Sequence, residues 1–385
     1  MTQHASPSSA TQPRKLAYRR IVVKAGTNVL TNKSPRLDRG IMAALVDQIV
    51  TIRNLGAQVV FVTSGAIAAG REAIAAKSEN KVQIRQMLAA IGQSRLMHDY
   101  EEMFSKSGVI TAQALLTRHD VEDRLGYLNV RNTLESLLDN GVVPIVNEND
   151  VVDTAEIGQE RFGDNDTLSA LVANLVDADL LLILTDTGGL YTADPKRDPS
   201  AELIPQVDHL DDAVMALAEE HRSSISRGGM GSKLEAARRA TAAGVATIIA
   251  NGHDREVIPR AATGESLGTL FPTTVTAMES FKRWLLSGMA ESGGELIVDD
   301  GAVKALTKNA RSLLPAGVRG VNGEFDRGGV VAIVTGDGQR LAYGIANYSA
   351  DDLRAITGAR SNKILPTLGH HFGDEAIHRN NMVML

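Results

Sequence analysis

The residues best suited to chemistry are Arg227, Gly228, Gly229, Met230, Gly231, Ser232 and Lys233, a glycine-rich loop that ends on a lysine and runs into an alanine-rich stretch with helical spacing. Glycines let backbone N–H groups converge on an anion, a helix start adds roughly half a positive charge, and a lysine supplies a full one. Such a loop cradles phosphate. Its order is not the Walker pattern of Gly, four residues and Gly-Lys-Ser/Thr, so a different phosphate-handling fold is expected.

A second lysine, Lys24, follows Ile21, Val22 and Val23 inside an otherwise apolar strand pattern. A charge there is costly unless it reaches an anion or partner, or snorkels to water from an edge strand. Gly26 close behind it favours the first reading, and Lys24 and Lys233 together could clamp a transferring phosphoryl group. Acidic and amide groups gather in two further stretches. Asp164, Asn165 and Asp166 precede the apolar run Thr167 to Val172; one of them caps a helix and the others stay available. Asn147, Glu148 and Asn149 lead to Asp150, which is either a turn residue or a site residue. Together these groups suit the ammonium and carboxylate of an amino acid better than a sugar or a base. Ser64 and Gly65 end the run Val59 to Thr63 with no histidine nearby in sequence and no Gly-x-Ser-x-Gly order. That argues for an anion-binding turn rather than a nucleophilic serine. Arg238 and Arg239 read as the solvated face of their helix.

The elements that must position these residues alternate. Strand patterns fall at Ile21 to Lys24, Val59 to Val62, Val109 to Thr111, Val142 to Val146, Leu180 to Leu184 and Val245 to Ala250. Helical patterns lie between them at Ile41 to Leu55, Val82 to Phe104, Val121 to Leu138, Thr167 to Val176 and Lys233 to Ala243. Gly141 and Gly244 stand where helix C-terminal glycines belong. The expected class is α/β, a mostly parallel sheet between helical layers. Ligands then gather at the carboxyl ends of the strands, where Lys24, Ser64, Asp150, Thr185 and Asp186 all fall.

After Phe271 and Pro272 the character changes. A connecting stretch leads to Gly293 and Gly294, and short glycine-punctuated strands follow at Glu295 to Val298, Gly329 to Val334 and Leu341 to Ala346. This pattern predicts a small β-barrel. The expected division is a disordered extension at 1–18, a catalytic domain at 19–272, a linker at 273–292, a second domain at 293–372 and a tail at 373–385.

A chain of 385 residues exceeds one ordinary core, which agrees with two domains. Its net charge of -6 gives no global attraction to nucleic acid or anionic membrane. Cysteine is absent, which removes disulfides, thiolate catalysis and cysteine-based zinc sites. The nine histidines show no His-Glu-x-x-His spacing, the pair His370-His371 reads as a surface turn, and no metal-ligating residues are assigned. No window approaches the ~20 apolar residues of a membrane span, and residues 1–12 lack the apolar run of a secretory signal. A cytoplasmic enzyme is expected.

Taken in order, Val-Lys-Ala-Gly-Thr at 23–27, Val-Thr-Ser-Gly-Ala-Ile-Ala-Ala-Gly at 62–70, Pro-Ile-Val-Asn-Glu-Asn-Asp at 144–150, Phe-Gly-Asp-Asn-Asp-Thr-Leu-Ser-Ala at 162–170, Leu-Thr-Asp-Thr-Gly-Gly-Leu-Tyr-Thr-Ala-Asp-Pro at 184–195 and Gly-Gly-Met-Gly-Ser-Lys at 228–233 resemble the amino acid kinase family, in its glutamate-phosphorylating branch. The resemblance spans nearly the whole chain from Arg19. It implies a three-layer αβα sandwich and transfer of the γ-phosphoryl group of ATP, with Mg²⁺, to the side-chain carboxylate of L-glutamate, the first step of proline synthesis. By matching position it implies Lys24, Lys233 and Asp166 at the reacting phosphoryl group and Ser64, Asp150 and Asn165 around the amino acid. The nucleotide positions would be Lys24, Thr185, Asp186 and the loop 227–233. It also implies proline as a feedback inhibitor, a homodimer or homotetramer, and functional coupling to glutamyl phosphate reductase. Arg227 departs from the pattern, standing where the family usually has a small hydroxyl residue. Acetylglutamate and aspartate kinases share the lysine clamp and are the close enzymatic alternatives.

The segment from Gly293 to Phe372 resembles a PUA domain, a module that binds RNA in RNA-modifying enzymes. Its nine Lys and Arg against eight Asp and Glu give a poor footprint for phosphate-driven binding, and no Phe/Tyr-rich stacking platform shows in the sequence. A structural or regulatory role is favoured over RNA as a partner. An RNA-binding regulator on a dead kinase scaffold is the alternative from another class, and the intact set Lys24, Lys233 and Asp166 argues against it.

Overall fold

The structure, a computed structural model, describes residues 15–74, 82–152, 165–195, 197–220, 229–273, 293–309 and 311–385. Strand β1 (Arg20–Ala25) is the hub of the larger sheet, paired in parallel with β2 (Gln58–Val62) on one side and β5 (Leu180–Thr185) on the other. β3 (Thr111–Leu116) and β4 (Val143–Glu148) extend the sheet beyond β2, and β6 (Ala246–Asn251) and β7 (Thr269–Phe271) beyond β5. The order is β3-β4-β2-β1-β5-β6-β7, with β7 antiparallel to β6. The chain builds outward from β1 to β3 and then crosses back to β5. This reversal opens a crevice at the carboxyl ends of β1 and β5, where an open α/β sheet binds its ligand.

Helices cover both faces. α1 (Thr27–Thr31), α2 (Arg39–Asn54), α3 (Ala66–Ala73) and α4 (Val82–Ser105) come from the first half of the unit, followed by α5 (Arg118–Glu122), α6 (Arg124–Asp139), α7 (Asn165–Leu175), α8 (Asp212–Glu220), α9 (Met230–Ala242) and α10 (Val257–Ala262). Ile21, Val23, Phe61, Leu182 and Leu184 pack with α2, α3, α4 and α10; Val22, Val62, Val146, Leu181 and Ile183 pack with α6, α7 and α9. Burial on both sides explains why β1 and β5 read as near-continuous apolar runs. Alternation then decides where Lys24 points. Positions 21, 23 and 25 face α2, so Lys24 shares the face of Val22 and looks toward α7 and α9.

Local signals start and stop the helices that matter. Asp38 caps α2 by accepting from the N–H groups of Gly40 (3.0 Å) and Ile41 (3.1 Å). Gly141 and Gly244 have φ of 71° and 88°, the left-handed conformation expected of a residue just past a helix end. The single helix predicted over Val121 to Leu138 is instead two, because a Thr117–Asp120 capping box opens α5 and Asp123 separately caps α6. The strand predicted at Val109 to Thr111 begins where it was expected to end. Ile110 is exposed, and the paired residues are the small and polar Thr-Ala-Gln-Ala of an edge strand, which carry little apolar signal.

The second unit contains β8 (Gly294–Val298), α11 (Asp300–Asn309), β9 (Val318–Gly323), β10 (Val330–Thr335), β11 (Arg340–Ile345), α12 (Ala350–Ile356), α13 (Ile364–Leu368) and β12 (Met382–Met384). Its strand order is β12-β11-β10-β8-β9. The expected barrel is therefore corrected to an open five-stranded sheet: among the described residues the edge strands β9 and β12 do not pair with each other. Short strands and close turns specify strands but not whether a sheet closes. Val331 and Ile333 face a core shared with Leu306, Leu353 and Ile364, while Val330, Ala332, Tyr343 and Ile345 join the buried cluster that holds Leu116, Val121 and Tyr127 of the larger unit.

Both chain ends depart from expectation. Residues past Phe372 are no loose tail, since β12 pairs with β11 and Ile377 bridges to Leu313. At the other end, Leu16 and Tyr18, expected within a disordered extension, pack against the larger core, and the Ala17 N–H donates to the Ala262 carbonyl at 2.9 Å. His370 and His371 bond Asp352 (3.3 Å) and Asp374 (3.1 Å), and the Arg327 guanidinium lies 4.0 Å from the centre of the Phe372 ring. Tyr348 beneath them is fully buried and packs against Phe372, whose ring is itself partly exposed. Of the segments read from sequence, 1–14, the stretch before Asn165 and most of 273–292 lie outside the described residues.

Candidate functional site

Asp166 is the meeting point. It sits in the first turn of α7 with no exposed surface, and its Oδ1 is bonded to the Lys24 ammonium from the end of β1. Its Oδ2 accepts from the Lys233 ammonium at 3.0 Å and the Ser232 hydroxyl at 2.8 Å, both from the first turn of α9. Lys24 and Lys233 are themselves almost wholly buried, at 3% and 6% exposure. Burial alone would push the Asp166 carboxyl up. The Lys233 and Lys24 ammonium groups, with the hydrogen bonds from Lys24 and Ser232, outweigh it and hold Asp166 well below the usual carboxylate range. Its backbone is fixed as well, since the Ser169 hydroxyl donates to the Asp166 carbonyl at 2.6 Å.

The α9 end of this triad is a ready anion site. Gly229 stands at the N-cap and supplies no side-chain oxygen to the first-turn N–H groups. Among the described residues, no heavy atom beyond the chain neighbours and the helix's own backbone lies within 4 Å of where a Cβ on Gly229 or Gly231 would stand. Met230 begins the helix and is half-buried, and the Ser232 hydroxyl is also within 2.9 Å of the Gly229 carbonyl. Arg227 and Gly228 lie outside the described residues. Across the crevice, a Cβ on Gly26 would come within 3.2 Å of the Lys24 ammonium, which accounts for a glycine there.

Beside the triad runs a chain of amides. Asn165, which opens α7, donates from Nδ2 to the Ser64 hydroxyl at 2.8 Å and to Asn147 Oδ1 at 3.1 Å. Asn147 in β4 donates in turn to Gln93 Oε1 of α4 at 2.8 Å. Ser64 is held by the sharp turn at Gly65, whose φ of 104° belongs to the left-handed region and where a Cβ would meet Leu37 Cδ2 at 2.9 Å. Asp150 stands half-buried two residues past the end of β4. Thr185 ends β5 buried, with its carbonyl accepting from the Gly252 N–H at 2.8 Å, and Asp186 behind it lies 3.7 Å from the Lys33 ammonium.

The structure thus brings Lys24, Asp166, Ser232 and Lys233 into one cluster and Ser64 and Asn165 into another, joined through the adjacent residues Asn165 and Asp166. Sequence reading placed Asn147 in a loop at a strand end, among amide and acidic groups suited to an amino acid but with no individual role, and it passed over Gln93. The Gly92-Gln93 pair inside a long helix was the available signal, since a buried helix glycine marks a close approach. Arg238 and Arg239 are on the outer face as expected, both paired with Glu235 at 2.8 Å. Among the described residues no three His, Asp or Glu side chains form a metal-holding cluster, and no helix is long and apolar enough to cross a membrane.

Comparison with known proteins agrees with this arrangement. Residues 19–251 match the model of the amino acid kinase family, and residues 294–367 match the PUA domain. The chain is 49% identical over 369 residues to a glutamate 5-kinase of Dehalococcoides mccartyi (strain CBDB1), covering 96% of this chain and 99% of that protein. A glutamate 5-kinase of Shewanella amazonensis is 48% identical over 96% of each chain, and one of Shigella flexneri is 48% identical over 94% of this chain and 98% of its own. With a buried lysine–aspartate–lysine cluster at the crevice of the sheet and a family match over more than half its length, the chain belongs to the amino acid kinase family.

Proposed function

We propose that the protein transfers the γ-phosphoryl group of ATP to the γ-carboxylate of L-glutamate, giving L-glutamyl 5-phosphate, the first step of proline biosynthesis. The observation that carries this reading is the convergence of Lys24 and Lys233 on the buried Asp166, at the mouth of a helix with a glycine N-cap. Nearly full-length similarity to glutamate 5-kinases supports the choice of substrate within the family.

In this reading a γ-carboxylate oxygen forms the new bond to phosphorus as the bond to the bridging oxygen breaks and ADP leaves. The nucleophile is ionised at pH 7, so no general base is needed. Alignment and charge neutralisation remain. Lys24 and Lys233 flank the migrating group, and Asp166 keeps the two ammonium groups from moving apart. Ser64, Asp150 and Asn165 hold the amino acid, with Asp150 suited to its α-ammonium. Thr185, Asp186 and the loop 227–233 take the nucleotide. Mg²⁺ would ride on the ATP phosphates and water rather than in a protein cage. Cytoplasmic location, a homo-oligomeric state, feedback inhibition by proline and hand-over of the acyl phosphate to glutamyl phosphate reductase belong to the same reading.

With ATP, Mg²⁺ and hydroxylamine, L-glutamate should yield a hydroxamate; selective reaction with N-acetylglutamate or aspartate instead would overturn the assignment. Two variants separate the roles. Lys233→Ala is expected to lower kcat by about 100-fold or more with little effect on the KM for glutamate. Asp150→Asn is expected mainly to raise that KM, and the reverse pattern would mean the roles are exchanged.

A further inference from the structure

Gln93 has a use that the phosphoryl-transfer cluster does not explain. It follows Gly92 on α4, where that helix crosses α3 so closely that a Cβ on Gly92 would stand 1.8 Å from the Ala66 carbonyl oxygen. The crossing presses the amide of Gln93 against Asn147 at the carboxyl end of β4. From there the hydrogen-bond directions follow from the orientation of the Asn165 amide. Asn165 spends both amide hydrogens, on Ser64 and on Asn147 Oδ1; Asn147 therefore presents its own amide hydrogens to Gln93, and Gln93 must accept through Oε1.

Two atoms are left over. Asn165 Oδ1 and Gln93 Nε2 are buried and have no hydrogen-bond partner among the described residues. Buried amide atoms are seldom left unpaired in a folded protein, because each gives up its bonds to water for nothing in return. The two orphans differ in kind. One is an acceptor beside the residue that holds both lysines; the other is a two-hydrogen donor at the far end of the amide chain. An α-amino acid presents the complementary pair, an ammonium that donates and a carboxylate that accepts.

We infer that Gln93 is a substrate-recognition residue whose Nε2 donates to the α-carboxylate of the amino acid, while Asn165 Oδ1 accepts from its α-ammonium. This rests on the proposed reaction and adds to it a residue that reads the end of the substrate remote from the chemistry. Loss of a hydrogen bond to a charged group costs roughly 10- to 100-fold in binding. Gln93 thereby favours a substrate with a free α-carboxylate over one without.

The test compares Gln93→Leu and Gln93→Glu in the full-length protein, with melting temperature as a check on folding. Gln93→Glu retains an oxygen that can accept from Asn147 but replaces the free donor with a negative charge facing the α-carboxylate. If Gln93 reads that carboxylate, Gln93→Glu raises the KM for L-glutamate by more than Gln93→Leu does, and the KM for ATP stays within about twofold of wild type. If Gln93 merely props up Asn147, Gln93→Glu behaves like wild type and Gln93→Leu is the worse of the two, which overturns the inference. A second readout uses 4-aminobutanoate, which keeps the γ-carboxylate and the amino group but has no α-carboxylate. As a competitor of L-glutamate its inhibition constant should be the same in wild type and Gln93→Leu, whereas a parallel loss for both compounds would overturn the inference. Wild-type protein that forms no hydroxamate from L-glutamate would mark failure of the proposed reaction itself, a result distinct from either of these.

Discussion

Asp166→Asn should lower kcat by at least about 100-fold and the melting temperature by on the order of 10 °C. The amide is nearly the shape of the carboxylate and can still bond Ser232, so packing is hardly disturbed. What goes is the negative charge shared by Lys24 and Lys233, both buried. Breaking a buried pair by removing one partner typically costs ~3–5 kcal/mol, because the remaining charge stays out of water without compensation. The two ammonium groups would then repel, turn away or lose a proton, and none of these leaves them aligned on a phosphoryl group. An anionic ligand offers a partial substitute, so ATP should raise the melting temperature of the variant by more than it raises that of wild type.

The same group gives a pH signature. The folded-state pKa of Asp166 is depressed, mainly by Lys233 and Lys24 working against burial. Its contribution to stability is therefore complete above the unfolded carboxylate value near ~4 and is lost as the pH falls through the lower folded value. Melting temperature followed from neutral pH downward should drop more steeply below pH ~4 in wild type than in Asp166→Asn. Parallel curves, or a variant with wild-type turnover, would show that Asp166 does not organise the two lysines.

Gly92→Ala should be among the most damaging single-methyl additions in the protein. The new carbon would stand 1.8 Å from the Ala66 carbonyl oxygen and 2.4 Å from the Gly70 nitrogen, both backbone atoms of α3. Carbon and oxygen normally approach no closer than ~3.3 Å even in weak C–H···O contacts, so α4 must shift by more than an ångström. Overpacking costs roughly 1–3 kcal/mol where side chains can give way, and helix backbones give way less. Tyr100 on the same helix anchors Thr63 through a 2.8 Å hydroxyl contact and meets the Phe61 ring edge-on, so displacement of α4 reaches the strand end that carries Ser64. A rise in the KM for L-glutamate should therefore accompany the loss of stability. Gly231→Ala is the contrasting control. Among the described residues its Cβ meets nothing within 4 Å outside its own helix, and alanine in a helix is favoured over glycine by roughly 0.5–1 kcal/mol, so its melting temperature should hold or rise. Equal melting temperatures for the two variants would refute the close crossing of α3 and α4.

The amino-acid sequence by itself determined the alternating α/β order, the ends of β1, β2, β4, β5 and β6 to within a residue or two, and the identities of the lysines and the aspartate that meet. These are local properties: a fully buried strand is apolar over five or six consecutive residues, and a helix end carries its own cap or glycine. Edge strands such as β3 and β9 were obscured or missed because a half-exposed strand has no such run. The break between α5 and α6 was missed because two caps in quick succession resemble the interior of one amphipathic helix.

Only the tertiary structure decided that Lys24 turns inward rather than to solvent and that Gln93 belongs with Asn147. Lys24 and Asp166 are 142 residues apart, and Asn165 and Ser64 are 101 apart. Their encounter depends on the order of strands around β1 and on how closely α3 and α4 cross. Both are settled by how side chains pack across the whole core, and no short window of sequence records that.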